Sequence, residues 1–484
     1  MTSTESTTAP PGRPVGPPAR ASRVIRSTRL MAGRRSDWRL VRPAISLPRL
    51  SAGSIGPLFV VASVGGSWFA FDSATGRGHV AFGLYIGAVS IVLMAWSFLL
   101  SVRFRPLEAI FGGLDRVYRV HRWTGTLAVI AMFLHIRVEP DIDGGILGAS
   151  KSLADSAEDL AGIAEYLLYS LVAISLIRWF PYRYWRFTHK LLGVPFVFAC
   201  FHFFTAEKPY ANRSAWGWWF GGWMVAGIVA YVWRVIGRDV AAAGHRYRIT
   251  STTVRANTTE FRLIPESGRS LHHRTGQFAF VKIQLPGLRE PHPFTIASAP
   301  DAAELRFLVR GLGDWSARLQ HTDLVGARVI VEGPYGNFRP LDGNCQHLWV
   351  AGGVGITPFL AATGQLTPGS PMGECPTLVY CVGSRGDAMA LDELEAAERD
   401  GRLLLSLHVS DEGTRLDPRL LAQIVDRADL TDVEVAVCGP DARVAAVERA
   451  GRALGARRVH SEDFDIRQGF GPDLSREIDQ LIRR

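Results

Sequence analysis

The sequence predicts a multi-domain protein: a six-helix transmembrane bundle, then a small antiparallel β-barrel, then an α/β domain. Three observations predict this order. Six apolar stretches, each near the 20 residues that cross a bilayer, occupy the first half. Short strand-like runs separated by Gly, Pro and Asp begin near residue 245. Buried-type strands then alternate with helical stretches. The chain has 484 residues, of which 47% are hydrophobic and 20% charged, which excludes a disordered or fibrous protein.

Residues 1–50 are predicted to form a disordered, basic, cytoplasmic tail. They contain ten Arg residues against Glu5 and Asp37, and no apolar stretch. A signal peptide would need such a stretch, and the first one begins at Ile55. The net charge of +9 is close to the tail's own excess of eight. The basic charge is therefore not spread over a folded face, so we expect membrane lipid, and no nucleic acid, as the tail's partner.

Residues 51–240 are predicted to form the transmembrane domain. The predicted spans are 55–71, 80–101, 120–137, 162–180, 187–205 and 216–236. Arg and Lys are concentrated in the loops after the second, fourth and sixth spans, whereas residues 139–159 are acidic. The positive-inside rule places the basic loops in the cytoplasm. The sequence therefore predicts a multi-pass cell-membrane protein with both termini cytoplasmic.

Four histidines lie in two of the predicted spans. His121 and His135 are in the third span, and His189 and His202 are in the fifth. Both spans run outward, so the histidines form one inner pair and one outer pair, separated by about 21 Å. Paired imidazoles from facing helices can supply both axial ligands of a haem. The sequence therefore predicts metal ligation of two stacked b-type haems by these four residues. The alternative is that each histidine hydrogen-bonds a neighbouring helix.

The spacing within each histidine pair makes a further prediction. Fourteen residues return an ideal helix to within about 40° of the same face, which suits His121 and His135. Thirteen residues leave His189 and His202 about 140° apart. The fifth span must therefore change phase between them, and Gly193 and Pro195 are candidate causes.

Residues 241–340 are predicted to form the β-barrel domain, with strands that include 247–249, 278–283 and 305–309. The run His292-Pro293-Phe294-Thr295-Ile296-Ala297-Ser298 offers an aromatic ring and hydroxyl groups to a flavin. The run Arg310 to Ser316 offers glycines beside a serine, which can hold a pyrophosphate on backbone N–H groups.

Residues 341–484 are predicted to form a Rossmann-like nucleotide-binding α/β domain, with strands at 377–382 and 433–438 and helices at 390–400 and 441–454. The run from Leu348 to Phe359 predicts a buried strand, a glycine turn and a helix start. This turn, with Gly352, Gly353, Gly355, Ile356 and Thr357, lets a dinucleotide phosphate approach the helix start. Ser384 and Arg385 follow the next strand, where Arg favours the 2′-phosphate of NADPH over NADH. The alternative for Arg385 is a solvated surface charge. The five cysteines are scattered and form no disulfide framework.

These residues together resemble a known family. Four segments resemble the flavin and pyridine-nucleotide motifs of ferredoxin–NADP reductases: His292 to Thr295, Gly333-Pro334-Tyr335-Gly336, Ala351 to Pro358 and Cys438-Gly439-Pro440. The six spans with paired histidines resemble the ferric-reductase-like transmembrane domain. The chain therefore resembles the bacterial branch of the ferric reductase and NADPH oxidase family, over about residues 50–470.

The resemblance implies roles for single residues. Phe294, Thr295 and the segment around Ser298 would face the isoalloxazine ring, and Gly313 to Ser316, with Trp315 among them, would contact the FAD phosphates. Gly352 to Thr357 would hold the NADPH phosphates. Cys438, followed by Gly439 and Pro440, would lie near the nicotinamide, and Phe464 would approach the flavin as a second catalytic residue.

The predicted function is electron transfer from cytoplasmic NADPH, with NADH as a possible substitute, through FAD and two haems. The acceptor is a small molecule or protein on the outer side, with ferric iron and O2 as candidates. Two alternatives stay open: a haem-free, membrane-anchored flavin reductase, and an electron-supplying module for a partner protein docked on the acidic outer loop.

Overall fold

The computed structural model describes residues 52–71, 78–138, 142, 144–176, 182–237, 244–342, 345–368, 375–412 and 430–461. The predicted basic tail of residues 1–50 lies outside the described residues. So do part of the acidic loop, namely Glu139, Asp141 and Asp143, and the predicted catalytic residue Phe464.

The first half of the described chain is helical. Its helices are α1 Ile55–Gly66, α2 Gly78–Ser101, α3 Arg105–Phe111, α4 Leu114–Val138, α5 Lys151–Leu176, α6 Tyr182–Lys190, α7 Gly193–Thr205 and α8 Ala215–Val232. Helix α2 is the central one, packed against α1, α4, α7 and α8. Its run from Ala88 to Trp96 is buried. Strands β1 Ile146–Leu147 and β2 Glu207–Lys208 pair in a short antiparallel ladder.

Three helical segments of the described chain are long and apolar enough to cross a membrane: Gly78–Ser101, Tyr184–Thr205 and Ala215–Ile236. They correspond to the second, fifth and sixth predicted spans. The first predicted span is a shorter apolar helix, Ile55–Ala70, with a tight final turn. Helices α4 and α5 are long, with 25 and 26 residues, but charged residues near their ends keep them outside this group.

The fourth predicted span differs most from the structure. Helix α5 begins at Lys151, eleven residues before the predicted start at 162, so part of the predicted acidic outer loop is helical. Asp155, Glu158 and Asp159 lie on its first turns. Hydropathy marks only the apolar residues of a helix. It therefore misses the polar helical turns that precede the apolar part of α5.

The fifth predicted span is two helices. Helix α6 ends at Lys190 and α7 begins at Gly193, so the break falls between His189 and His202. A break between the two histidines lies where the thirteen-residue spacing predicted a change of helix phase. A Cβ atom at Gly193 would overlap the ring of Tyr231 on the α8 helix, so only glycine permits this close approach.

Six antiparallel strands form one curled sheet after the helices. The strands are β3 His245–Arg255, β4 Thr258–Pro265, β5 Phe278–Ile283, β6 His292–Thr295, β7 Leu305–Arg310 and β8 Arg328–Tyr335, in the order β6-β5-β8-β3-β4-β7. Along strand β4, Phe261 and Leu263 are buried and Arg262 between them is exposed. One face of the strand therefore packs into the core of the sheet and the other faces solvent. Ala297 N donates to Arg306 O at 2.8 Å, which brings the chain after β6 against β7.

Five parallel strands form the last sheet, in the order β11-β10-β9-β12-β13. They are β9 Gln346–Gly352, β10 Thr377–Val382, β11 Leu404–Val409, β12 Val433–Cys438 and β13 Arg458–Ser461. Four short helices accompany the two sheets: α9 Asp314–Leu319, α10 Thr357–Thr363, α11 Leu391–Arg399 and α12 Asp441–Ala453. Strands β10 and β12 are buried along their whole length, as expected for parallel strands covered on both faces.

Candidate functional site

Two of the four membrane histidines are fixed by backbone carbonyls of helix α2. His121 Nδ1 lies 2.8 Å from Ser97 O and 3.1 Å from Ser97 Oγ. His135 Nδ1 lies 2.9 Å from Gly83 O. Because a carbonyl only accepts, Nδ1 carries the proton in both rings and Nε2 keeps its lone pair. This is the arrangement that orients a metal-ligating imidazole.

The inner pair, His121 and His189, has ring centres 6.3 Å apart with planes at 82°. A direct hydrogen bond between two imidazoles would bring the centres to about 5 Å. Two imidazoles on opposite sides of one metal ion, with bonds of about 2 Å, have centres about 6 Å apart. The observed separation therefore leaves room for one metal ion between the two rings, which His121 and His189 would hold. Trp185 stacks on His189 at 4.9 Å and 18°, which holds that ring in place.

The outer pair is His135 on helix α4 and His202 on helix α7. Gly87 on helix α2 makes room for the His135 ring, because a Cβ atom there would lie 2.7 Å from His135 Nδ1. Helix α4 runs unbroken through His121 and His135 and carries both rings to the same neighbour, α2. In this outer pair, as in the inner pair, two imidazole nitrogens are the donor atoms that would bind a haem iron.

The predicted flavin residues lie on and after strand β6, the edge strand of the curled sheet. Phe294 is partly exposed and stacks on Trp315 at 5.5 Å and 26°. His292 lies 4.4 Å from Trp315 between ring centres. Thr295, Ile296 and Ser298 are buried, and Ser298 Oγ accepts from Arg306 N at 3.3 Å. Phe294 therefore offers a ring with partial exposure, and Pro293 beside it is also partly exposed.

The turn before helix α9 organises its own backbone through Ser316. Ser316 Oγ accepts from Leu312 N at 2.9 Å and Gly313 N at 3.0 Å. Trp315 is 6% exposed and packs in the core of the curled sheet, so its side chain supports Phe294. Arg310, by contrast, is exposed, and its Nη1 would lie 3.6 Å from a Cβ atom on Gly353, in the turn after β9. Arg310 therefore lies beside the predicted nucleotide turn.

The glycine turns lie where the strand order reverses, between β9 and β12. Ligands bind open parallel sheets at this point, beyond the carboxyl ends of the strands. A Cβ atom at Gly355 would overlap Cys438 O, and Gly353 has a φ of +56°. Gly439 packs on Gly352 in the same way. The two turns therefore meet backbone to backbone at the switch point of the sheet.

The other predicted nucleotide residues surround this turn. Ile356 is buried, and Thr357 Oγ1 donates to Val354 O at 3.1 Å. Cys438 is 1% exposed and ends β12 on the sheet face that packs against Ala297 and Leu308 of the curled sheet. Pro440 begins helix α12.

Ser384 and Arg385 follow strand β10, which pairs with β9. Ser384 Oγ donates to Asp387 Oδ2 at 2.9 Å, and Ser384 N donates to the same atom at 3.1 Å. Arg385 is exposed at the edge of this turn. Ser384 is therefore tied to its own loop, and Arg385 is the residue of the two that presents a charge to solvent.

The membrane helices dock on the curled sheet through the α2–α4 connection. Arg103 stacks over the Phe280 ring at 3.5 Å, and its Nη1 lies 3.9 Å from Glu332 Oε1. Arg105 Nη2 donates to Gly333 O at 2.7 Å, and Gly336 N donates to Glu108 Oε1 at 2.8 Å. Burial raises the pKa of the Glu108 carboxyl, an effect that the Gly336 N–H opposes.

A second contact links the inner histidine helix to the flavin strand. Arg186, three residues before His189 on α6, lies 3.5 Å from Glu290, and Glu290 lies 3.8 Å from His292 Nε2. The pair is half exposed, so its energetic contribution is small. The contact does fix a position, because it places the start of β6 beside the helix that carries His189.

Sequence reasoning missed several supporting residues. Trp185 stands four residues before His189, one helical turn away, a spacing that the sequence offered. Gly87, Ser97 and Arg103 carry no such signal, because their partners are 48, 24 and 177 residues away along the chain.

Comparison with known proteins adds family matches. Residues 86–200 match the model of the ferric reductase like transmembrane component, and residues 250–339 match an FAD-binding domain. These matches confirm the resemblance predicted from the motifs.

Three curated relatives are similar to parts of this chain. The 2-halobenzoate 1,2-dioxygenase electron transfer component of Burkholderia cepacia is 28% identical over 227 residues, covering 45% of this chain and 65% of that protein. Methane monooxygenase component C of Methylosinus trichosporium is 35% identical over 152 residues, covering 31% and 43%. Dual oxidase 2 of Rattus norvegicus is 25% identical over 186 residues, covering 35% and 12%. The chain thus spans less than two thirds of each relative's length.

Proposed function

We propose that this chain is a transmembrane flavohaem oxidoreductase. It is a membrane protein in which a ferric reductase-like transmembrane component is followed by an FAD-binding domain. In this proposal the parallel sheet after that domain binds NAD(P)H. The protein moves electrons from cytoplasmic NADPH, through FAD and two b-type haems, to ferric iron or O2 outside. Six segments cross the membrane in this proposal, and both termini are cytoplasmic. The observation that carries it is the inner histidine pair, with ring centres 6.3 Å apart and His121 Nδ1 held by Ser97.

The residues of the chain bind and orient the cofactors. When bound, FAD supplies the change from hydride to single-electron transfer, and the haems supply one-electron carriers across the membrane. Phe294 offers a ring to the flavin, and the run from Gly313 to Ser316 would meet its phosphates. The turns at Gly355 and Gly439 offer N–H groups to the nucleotide, and Cys438 packs beside them. His121 with His189, and His135 with His202, would hold the two haems.

The first experiment is a difference spectrum of the purified, detergent-solubilised protein before and after anaerobic NADPH addition, with haem and flavin quantified per chain. Two low-spin haems reduced by NADPH are expected. Flavin reduction with no haem signal would contradict the proposal and favour a haem-free, membrane-anchored flavin reductase.

We expect Arg103→Ala to uncouple the two halves of the molecule. The Arg103 side chain is 10% exposed and touches Phe280 and Glu332, and a cation–π contact of this kind contributes about 1–2 kcal/mol. NADPH should still reduce the flavin at the wild-type rate, while reduction of an outer acceptor falls about tenfold. Stopped-flow absorbance separates the two rates.

The matched control for this variant is Arg248→Ala, which removes an exposed ion pair with Glu266 on the same sheet. Both rates should match the wild type there. Equal outer-acceptor rates in Arg103→Ala and the wild type would show that this docking contact does not govern electron delivery.

We expect Arg385→Ala to weaken NADPH use while leaving NADH use unchanged. An exposed Arg that pairs with a 2′-phosphate contributes on the order of 1–2 kcal/mol, so KM for NADPH should rise about tenfold. Steady-state kinetics with both nucleotides give the comparison, and Arg399→Ala, an exposed Arg on α11, is the control. An equal rise in KM for both nucleotides would show that Arg385 attracts phosphates common to NADPH and NADH and does not select the 2′-phosphate.

A further inference from the structure

A cluster of metal-ligating side chains lies at the far end of the parallel sheet from the glycine turns. Cys345 immediately precedes β9, His347 is in β9 and Glu434 is in β12. One ligand atom from each lies within 4.8 Å of the other two. At about 3.3 Å per residue, His347 is about 17 Å along the strand from Gly352, so this cluster is separate from the nucleotide turn.

Strand register brings these side chains to one face. His347 is directly paired with Glu434 on the neighbouring strand, and Cys345 stands two residues before His347. Alternation along a strand therefore points all three to the same side of the sheet. His460 on β13 is paired with Ala436, two residues beyond Glu434, and so lies on that side as well.

The charges around the cluster leave a buried carboxylate weakly paired. Glu434 is 6% exposed. His460 Nε2 lies 3.7 Å from Glu434 Oε2, which is longer than a hydrogen bond, and that nitrogen is buried with no hydrogen-bond partner among the described residues. The nearby Arg458 guanidinium is mostly exposed and pairs with Asp342 at 3.4 Å. A buried carboxylate is costly unless a cation meets it.

We propose that Cys345, His347 and Glu434 bind a divalent transition metal of the zinc class, beside His460. Thiolate, imidazole and carboxylate are zinc ligands, whereas calcium and magnesium take oxygen ligands. Tetrahedral zinc would place the ligand atoms about 3.3–3.8 Å apart, and the three atoms already lie within 4.8 Å of one another, so only a small side-chain movement is needed on binding. The thiol proton leaves to solvent as the metal binds.

The metal would join two neighbouring strands. Cys345 and His347 lie at the start of β9 and Glu434 lies near the start of β12, so the metal would tie these two strand starts together on one side of the sheet. This inference is independent of the proposed electron transfer, because it concerns the opposite end of the sheet.

The test uses the full-length protein in detergent. The protein is stripped with EDTA and dialysed against micromolar zinc chloride. Zinc per chain is measured by mass spectrometry, and the zinc absorption edge reports its ligands. We expect one zinc per chain with one sulfur ligand. Cys345→Ser and His347→Gln should lower zinc affinity at least about tenfold, and His460→Gln should lower it less.

Two matched variants control for the loss of any thiol or imidazole. Cys375 is buried just before strand β10, where its Sγ donates to Gly401 O, and His408 is on β11. Cys375→Ser and His408→Gln should keep the zinc. Flavin content reports folding of every variant, and Cys345→Ser is the conservative change if His347→Gln misfolds. No zinc in the wild type, or equal zinc in wild type and Cys345→Ser, would overturn the proposal.

Discussion

In a His189→Leu variant, we expect bound haem to fall from two per chain to one, with FAD content unchanged. Leucine keeps an apolar side chain beside Trp185 but offers no nitrogen lone pair. The inner pair would then hold the cofactor through His121 alone, with a loss of affinity of about 100-fold or more. NADPH should still reduce the flavin, because the curled sheet and parallel sheet are untouched, while reduction of an outer acceptor stops.

His189 is a better choice than His121 for this test. Removing the His121 ring would strand the Ser97 carbonyl, which accepts from His121 Nδ1 at 2.8 Å, and so would add a packing defect. The measurement is the pyridine haemochrome assay together with flavin fluorescence. His79→Leu is the matched control, because His79 is an exposed histidine at the start of α2. Two haems per chain in His189→Leu would refute the ligand assignment.

The second large effect is expected for Gly355→Val. The new Cβ would overlap Cys438 O, a backbone atom that cannot rotate away, and it would also crowd Gly439 N. The turns after β9 and β12 would separate, and the N–H groups between them would lose their arrangement. We expect flavin reduction by NADPH to fall at least about 100-fold, which corresponds to about 2.7 kcal/mol of lost transition-state stabilisation.

Dithionite separates a binding defect from a collapsed fold in this variant. Chemical reduction of the bound flavin should remain complete in Gly355→Val, because it does not use the nucleotide turn. Gly222→Ala is the control, since a Cβ atom at Gly222 meets nothing within 4 Å. Normal NADPH-driven reduction in Gly355→Val would remove the nucleotide role from this turn.

Local sequence pattern predicted much of the sheet architecture. Strands predicted at 377–382 and 433–438 are β10 and β12 with the same bounds, because runs buried on both faces carry a continuous apolar signal. The helices predicted at 390–400 and 441–454 agree with α11 and α12 to within one residue at each end. Helix α5 was mispredicted at its start, because its first turns are polar.

The sequence by itself determined the order of the domains along the chain and the identity of the candidate haem ligands. Hydropathy, charge in the loops, glycine turns and the positions of four histidines are local properties, and each is set by neighbours along the chain. The thirteen-residue spacing of His189 and His202 predicted a change of helix phase between them, and the break between α6 and α7 falls there.

Only the tertiary structure decided which distant groups meet. The Ser97 carbonyl on His121, the Arg103 contact with Phe280 and the convergence of Cys345, His347 and Glu434 join residues from separate elements. No periodicity encodes such contacts, because strand order and helix packing bring together residues far apart in the chain. The three-dimensional arrangement therefore supplied the orientation of the histidines, the docking of the two halves and the proposed metal site.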